Sequence, residues 1–155
     1  MDLEEQYERL LRYCFGKVKN REQAEDITQE AFLKLWQTTS CKSIDKEIPY
    51  LYTIARNLCM DHFKKKKEEL PDDDSVLENA TDDSVNIEET SVNRAIVEQA
   101  MQCLSPEDRE IVLLCYVSGL SVTDTGKVLG MSRFAVHRRL KAAKNILKRE
   151  LEGSV

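Results

Sequence analysis

Residues 121–149 read SVTDTGKVLGMSRFAVHRRLKAAKNILKR. Ser121 opens a short apolar-periodic run that Gly130 closes, and Ser132 opens a longer one that continues to about Leu151. A short helix, a turn of Gly130, Met131 and Ser132, and a longer helix form the helix-turn-helix arrangement. Advancing about 100° per residue from Val136 puts Leu140, Ala143 and Leu147 on its side of the second helix. Phe134, His137, Arg138, Lys141 and Asn145 fall on the opposite side. From Arg133 to Arg149 there are seven basic residues and no acidic one. A merely solvated helix here would mix both signs, as residues 21–37 do. A single-sign outer face after a glycine turn points instead to insertion in the major groove of duplex DNA. The candidate contacts are Ser132 and Arg133 at the helix entry, then Phe134, His137, Arg138, Lys141 and Asn145.

Toward the N-terminus, Ser105-Pro106-Glu107-Asp108 is a helix start, with Ser as cap and Pro in the first turn. Ile111, Val112, Leu114 and Cys115 form its stripe, and Gly119 stops it. Before it, residues 68–90 read EELPDDDSVLENATDDSVNIEET, polar and without helical period, as a linker would be. The net charge of −5 hides a division: residues 1–67 carry +2, residues 68–98 carry −10 and residues 99–155 carry +3. Acid concentrated in the middle, with basic flanks, leaves nucleic-acid binding open.

The N-terminal block reads as three helices. Leu3, Tyr7, Leu10, Leu11, Cys14, Phe15 and Val18 make the first stripe, over about Leu3 to Val18. Asn20 caps the second helix, about Arg21 to Gln37, with Ala24, Ile27, Ala31 and Leu35 inward. The third begins at or just before Pro49, carries Leu51, Ile54, Ala55, Leu58, His62 and Phe63, and ends in Lys64-Lys65-Lys66-Lys67. Four adjacent lysines suit a helix C-terminus, and equally suit phosphate contact.

The expectation is an all-α chain: one small helical domain over 1–67, an acidic flexible linker over 68–92, and a second small helical domain over 93–155. Five Gly and three Pro are too few for the turns of a many-stranded β fold. No apolar run reaches membrane-spanning length, and no basic segment precedes an apolar one as in a secretion signal, so a cytoplasmic protein without membrane insertion is expected. Cys14, Cys41, Cys59, Cys103 and Cys115 are odd in number and irregularly spaced, which argues against a disulfide framework. Cys59 and His62 would supply two metal ligands but have no second pair. With no Gly-rich phosphate loop and no metal cluster, neither an enzyme nor a cofactor is expected.

Asp26-Ile27-Thr28-Gln29-Glu30-Ala31-Phe32, Tyr50-Leu51-Tyr52-Thr53-Ile54-Ala55-Arg56-Asn57, Asp61-His62-Phe63-Lys64, Leu104-Ser105-Pro106-Glu107-Asp108-Arg109 and Val136, Arg139, Leu140, Ala143 occur in this order. Together they resemble the sigma-70 family of RNA polymerase sigma factors, in its extracytoplasmic-function group. The resemblance implies a sigma-2 three-helix domain and a sigma-4 helix-turn-helix domain joined by a linker. It implies core RNA polymerase as partner, through the β′ clamp and the β flap, with Asp26, Gln29, Glu30 and Phe32 on the clamp-docking helix. Promoter DNA is the other implied partner. Tyr50, Arg56, Asn57, Lys64 and Lys65, with the loop of about Thr39 to Pro49, would meet a downstream element where strands separate, and the last helix would read an upstream element in duplex form. Tyr50 could equally be core. An anti-sigma factor is a further partner that the resemblance leaves open. The chain departs from the family with Tyr50 for Trp, Lys64 for Arg, Asp124-Thr125-Gly126 for Glu-Ile-Ala, the bulky Phe134 for a small residue and His137 for a polar or basic one. Gly126 weakens a helix interior by about 1 kcal/mol against Ala. Two alternatives stay open: a LuxR-type DNA-binding regulator, and a helical redox-sensing or protein-interaction module using Cys41 and its neighbours.

Overall fold

The structure, a computed structural model, describes residues 3–38, 46–69 and 88–153. Cys41, residues 39–45 of the expected DNA-facing loop, and most of the expected linker lie outside the described residues. The chain divides into two compact units. The first carries α1 (Leu3–Val18), α2 (Arg21–Thr38) and α3 (Ile48–Glu69). The second carries α4 (Glu88–Met101), α5 (Pro106–Val112), α6 (Val122–Leu129) and α7 (Arg133–Gly153). The described residues contain no strand. Helical structure reaches into both ends of the 68–92 segment, through Glu69 and from Glu88.

In the first unit all three helices pack on one another. Glu4 and Glu5 in the first turn of α1 and Lys17 in its last turn suit the helix dipole. Lys19 turns the chain with a left-handed φ of 58°, and Asn20 Oδ1 then accepts the Gln23 N–H at 3.0 Å to cap α2. The core holds Leu10, Tyr13 and Cys14 from α1, Ala24, Ile27, Thr28, Ala31, Phe32 and Leu35 from α2, and Leu51, Tyr52, Ala55 and Cys59 from α3. Tyr13 and Tyr52 meet edge to face at 5.6 Å. Thr28 is accommodated because its hydroxyl donates to Ala24 C=O at 2.7 Å.

Two stripes expected from the sequence are rotated here. Gln6 and Tyr13 are buried in α1, while Leu3 is exposed. On α3, Tyr52 and Cys59 are fully buried, Ile54 and Leu58 only half-buried, and Phe63 is exposed. The inward side of α3 runs through Ile48, Leu51, Tyr52, Ala55 and Cys59, so Tyr and Cys take positions that hydrophobicity alone would give to Ile and Phe.

The second unit joins the short α5 and α6 to the long α7, each with a marked start. Ser105, Ser121 and Ser132 each accept an N–H from three residues on, at 3.2, 3.0 and 3.1 Å, and so open α5, α6 and α7. After Val112 the α5 axis continues as a π-helical turn over Leu113–Val117, which Gly119, at φ 75°, ends. Gly130, at φ 71°, ends α6, and the Met131 N–H donates to Gly126 C=O at 2.9 Å. Leu104, Val112 and Ala143 form a buried cluster, with Met101, Leu140, Ile146 and Leu147 packed against it.

Gly126 corrects an expectation. It is buried, and a Cβ there would stand 2.4 Å from Met131 C=O. The missing side chain is what lets the turn lie against α6, so the lower helix propensity of glycine is offset by close packing between the two halves of the motif.

Candidate nucleic-acid and polymerase interfaces

The second unit presents α7 as expected. Val136 and Ala143 are fully buried against the unit, and Leu140 and Leu147 are half-buried. Ser132, Arg133, Phe134, His137, Arg138, Lys141 and Asn145 are all exposed. Phe134, Arg138, Lys141 and Asn145 follow one another at steps of four, three and four, so they share one face. The Arg133 guanidinium lies 5.0 Å from the centre of the Phe134 ring. Arg139 leaves this set. It is half-buried, pairs with Glu107, and brings Nε within 2.9 Å of Asp108 Oδ1, so it holds α7 to the start of α5.

On α2, Asp26, Gln29 and Glu30 are exposed and Phe32 is not. Phe32 is 3% exposed, stacked on Tyr7 at 5.8 Å and tilted against Trp36 at 5.8 Å. Its place is the core, where it fixes the helix whose other side carries the acidic residues. Gln29 reaches Tyr7 Oη at 3.4 Å, and Glu30 sits 3.7 Å from Lys34 Nζ. Leu33 and Trp36, 55% and 48% exposed, continue the line of Asp26, Gln29 and Glu30. They were not singled out from the sequence. The signal was there: neither falls on the Ala24, Ile27, Ala31, Leu35 stripe, yet both are large and apolar.

On α3, Tyr50, Asn57 and Lys64 recur every seven residues and line one side of the helix. Tyr50 is exposed and donates to Thr38 Oγ1 at 3.2 Å, a hydrogen bond that ties the start of α3 to the end of α2. Asn57, Lys64 and Lys65 are exposed, and Arg56 is half-buried. Met60 and Phe63 add exposed apolar surface to the same helix. His62 is half-buried, edge to face with Phe63 at 5.7 Å. Its partial burial and the Lys66 charge hold its pKa below the ordinary 6.5.

Cys14, Thr28 and Cys59 form a hydrogen-bonded group, one from each helix of the first unit. The Cys59 hydrogen bond draws the Cys14 thiol pKa down, burial opposes it, and Thr28 adds to the lowering. Cys115 is pushed up by burial, against the hydrogen bond it shares with Thr125 of α6 at 3.3 Å. Among the described residues no three possible ligands gather into a metal site, Cys59 and His62 included. No helix there is long and apolar enough to cross a membrane.

Two models of one family match this architecture in order: sigma-70 region 2 over residues 3–69 and sigma-70 region 4 over residues 94–147. The chain therefore belongs to the sigma-70 family. Among its relatives is the extracytoplasmic-function (ECF) sigma factor BldN of Streptomyces coelicolor, 32% identical over 133 residues. That match covers 81% of this chain and 49% of BldN, so the chain spans about half of that relative's length. The ECF sigma factor SigW of Bacillus subtilis is 26% identical over 156 residues, with 93% of this chain and 83% of SigW covered. Among solved structures, the sigma factor RpoE in complex with the anti-sigma factor NepR from Bartonella quintana has a TM-score of 0.68 at 25% identity, covering 95% of this chain and 92% of that one. CnrH in complex with the cytosolic domain of CnrY, at 19% identity, has a TM-score of 0.67 over 95% of this chain and 82% of that one, and supports the fold.

Proposed function

We propose that this chain is a transcription initiation factor of the cytoplasm, which binds core RNA polymerase, directs it to specific promoters and aids strand separation. The observation that carries this reading is the exposed basic face of α7, set on a capped helix-turn-helix, in a chain that also holds the family's region 2. Asp26, Gln29 and Glu30, with Leu33 and Trp36 beside them, form the face offered to the polymerase clamp. Tyr50, Arg56, Asn57, Lys64 and Lys65 serve the downstream element. Sequence is read there by holding an unstacked base, through hydrogen bonds and stacking rather than catalysis. The α7 face reads the upstream element. Two heads on one chain raise each other's effective concentration once either has bound. An anti-sigma factor is a further partner of this chain, by likeness to the RpoE–NepR pair.

Transcription in vitro with purified core polymerase on a pool of promoters tests the reading. Addition of this protein is expected to select a subset of promoters; unselective transcription with and without it rejects the proposal. Asp26→Ala with Gln29→Ala should weaken core binding without altering helicity. Arg138→Ala should cost about 1–3 kcal/mol on the preferred element and little on altered ones, because a guanidinium pairs with two acceptors on guanine. Lys141→Ala should weaken all sequences alike.

A further inference from the structure

Phe134 is 69% exposed, the most exposed large apolar side chain among the described residues. It stands in the first turn of α7, and packing gives no reason for it: the buried residues of that helix are Val136 and Ala143. Its ring is in line with Arg138, Lys141 and Asn145, the face offered to DNA, and the Arg133 guanidinium lies 5.0 Å from its centre. In a helix-turn-helix the first turns of the second helix are the part that meets base edges. The major-groove edges of the base pairs carry polar donors and acceptors and one apolar group, the C5-methyl of thymine. An apolar ring at that place has no other partner of its own kind.

We propose that Phe134 is a specificity-determining residue that reads a thymine in the upstream promoter element by packing its ring against the C5-methyl. Arg133, stacked on the same ring, restricts its rotation and keeps a cation beside the DNA backbone. The inference rests on the promoter-reading function proposed above and adds the base class that one side chain selects.

The test uses holoenzyme assembled from purified core polymerase and the full chain. A promoter library randomised across the upstream element defines the preferred sequence. Each of its thymines is then replaced singly by deoxyuridine, which removes the methyl and leaves every hydrogen-bonding group. One position is expected to lose about fourfold in transcription, the worth of one methyl group removed from water. Holoenzyme with Phe134→Ala should transcribe the thymine and uracil templates equally at that position and lose its library preference there alone. Phe134→Leu, still apolar, should keep part of the preference. The proposal is overturned if no thymine responds to uracil, if Phe134→Ala keeps the response, or if Phe134→Ala lowers all templates by one factor. Selective transcription that ignores the methyl rejects only the role of Phe134. Absence of any promoter selection rejects the sigma function, and this inference with it.

Discussion

The two units reach a folded state by different means. The first relies on side chains: three long helices enclose Leu10, Tyr13, Leu35, Leu51 and Tyr52, all fully buried. The second relies more on its backbone: three serine caps, two left-handed glycines and one glycine under a carbonyl set the ends of the short α5 and α6 and the start of the long α7. The difference teaches where each is vulnerable. Removing side-chain volume should hurt the first unit most, and adding a single carbon should hurt the second.

The chain has one tryptophan, Trp36, and it lies in the first unit. Its fluorescence follows that unit, while far-ultraviolet circular dichroism follows both, so one sample reports the two separately. The largest effect is expected from Leu51→Ala, a cavity in a fully buried site, at about 2–5 kcal/mol. The tryptophan transition should move to lower denaturant, and a coincident shift of the second unit would break the division. Gly126→Ala should cost the second unit about 1–3 kcal/mol as the turn is pushed off α6, despite the better helix propensity of alanine. A gain in stability would mean that the Met131 carbonyl yields freely. Ser121→Ala, which removes one cap, should cost about 1 kcal/mol, seen in the circular dichroism transition and not in tryptophan fluorescence.

The smallest effect concerns pH. The pKa of His62 is lowered in the folded state, so the unfolded chain takes up its proton first as pH falls. The first unit should therefore be most stable above the ordinary histidine pKa of 6.5 and lose some stability as pH drops through it. His62→Gln should flatten that part of the pH profile measured by Trp36 fluorescence, and an unchanged slope would assign it elsewhere.

Features fixed by local chemistry were legible in the sequence. Ser105, Ser121, Ser132 and Gly130 mark helix ends because each acts on backbone groups a few residues away. The exposed α7 face was legible because its charge has one sign. What escaped depends on contacts distant in sequence. Arg139 counts as one more cation until Glu107, 32 residues away, is brought to it. Gly126 reads as a weak helix residue until the Met131 carbonyl lies over it. Tyr13 and Tyr52 are buried because they pack on each other, while Leu33 and Trp36, more apolar, stay outside on the face that also carries Asp26, Gln29 and Glu30. Phe32 was placed at that face from its motif, and its ring lies in the core instead.

The engagement of Arg139 has a consequence for how this protein would respond to ionic strength. A cation already neutralised by two carboxylates displaces no condensed counterions when a polyanion approaches. Each phosphate contact contributes about 0.9 to the slope of log affinity against log salt, so α7 should respond as though it were one charge poorer than its composition. Arg139→Gln would then leave that slope nearly unchanged while loosening α7 from α5, a separation of charge from architecture that composition alone would never suggest.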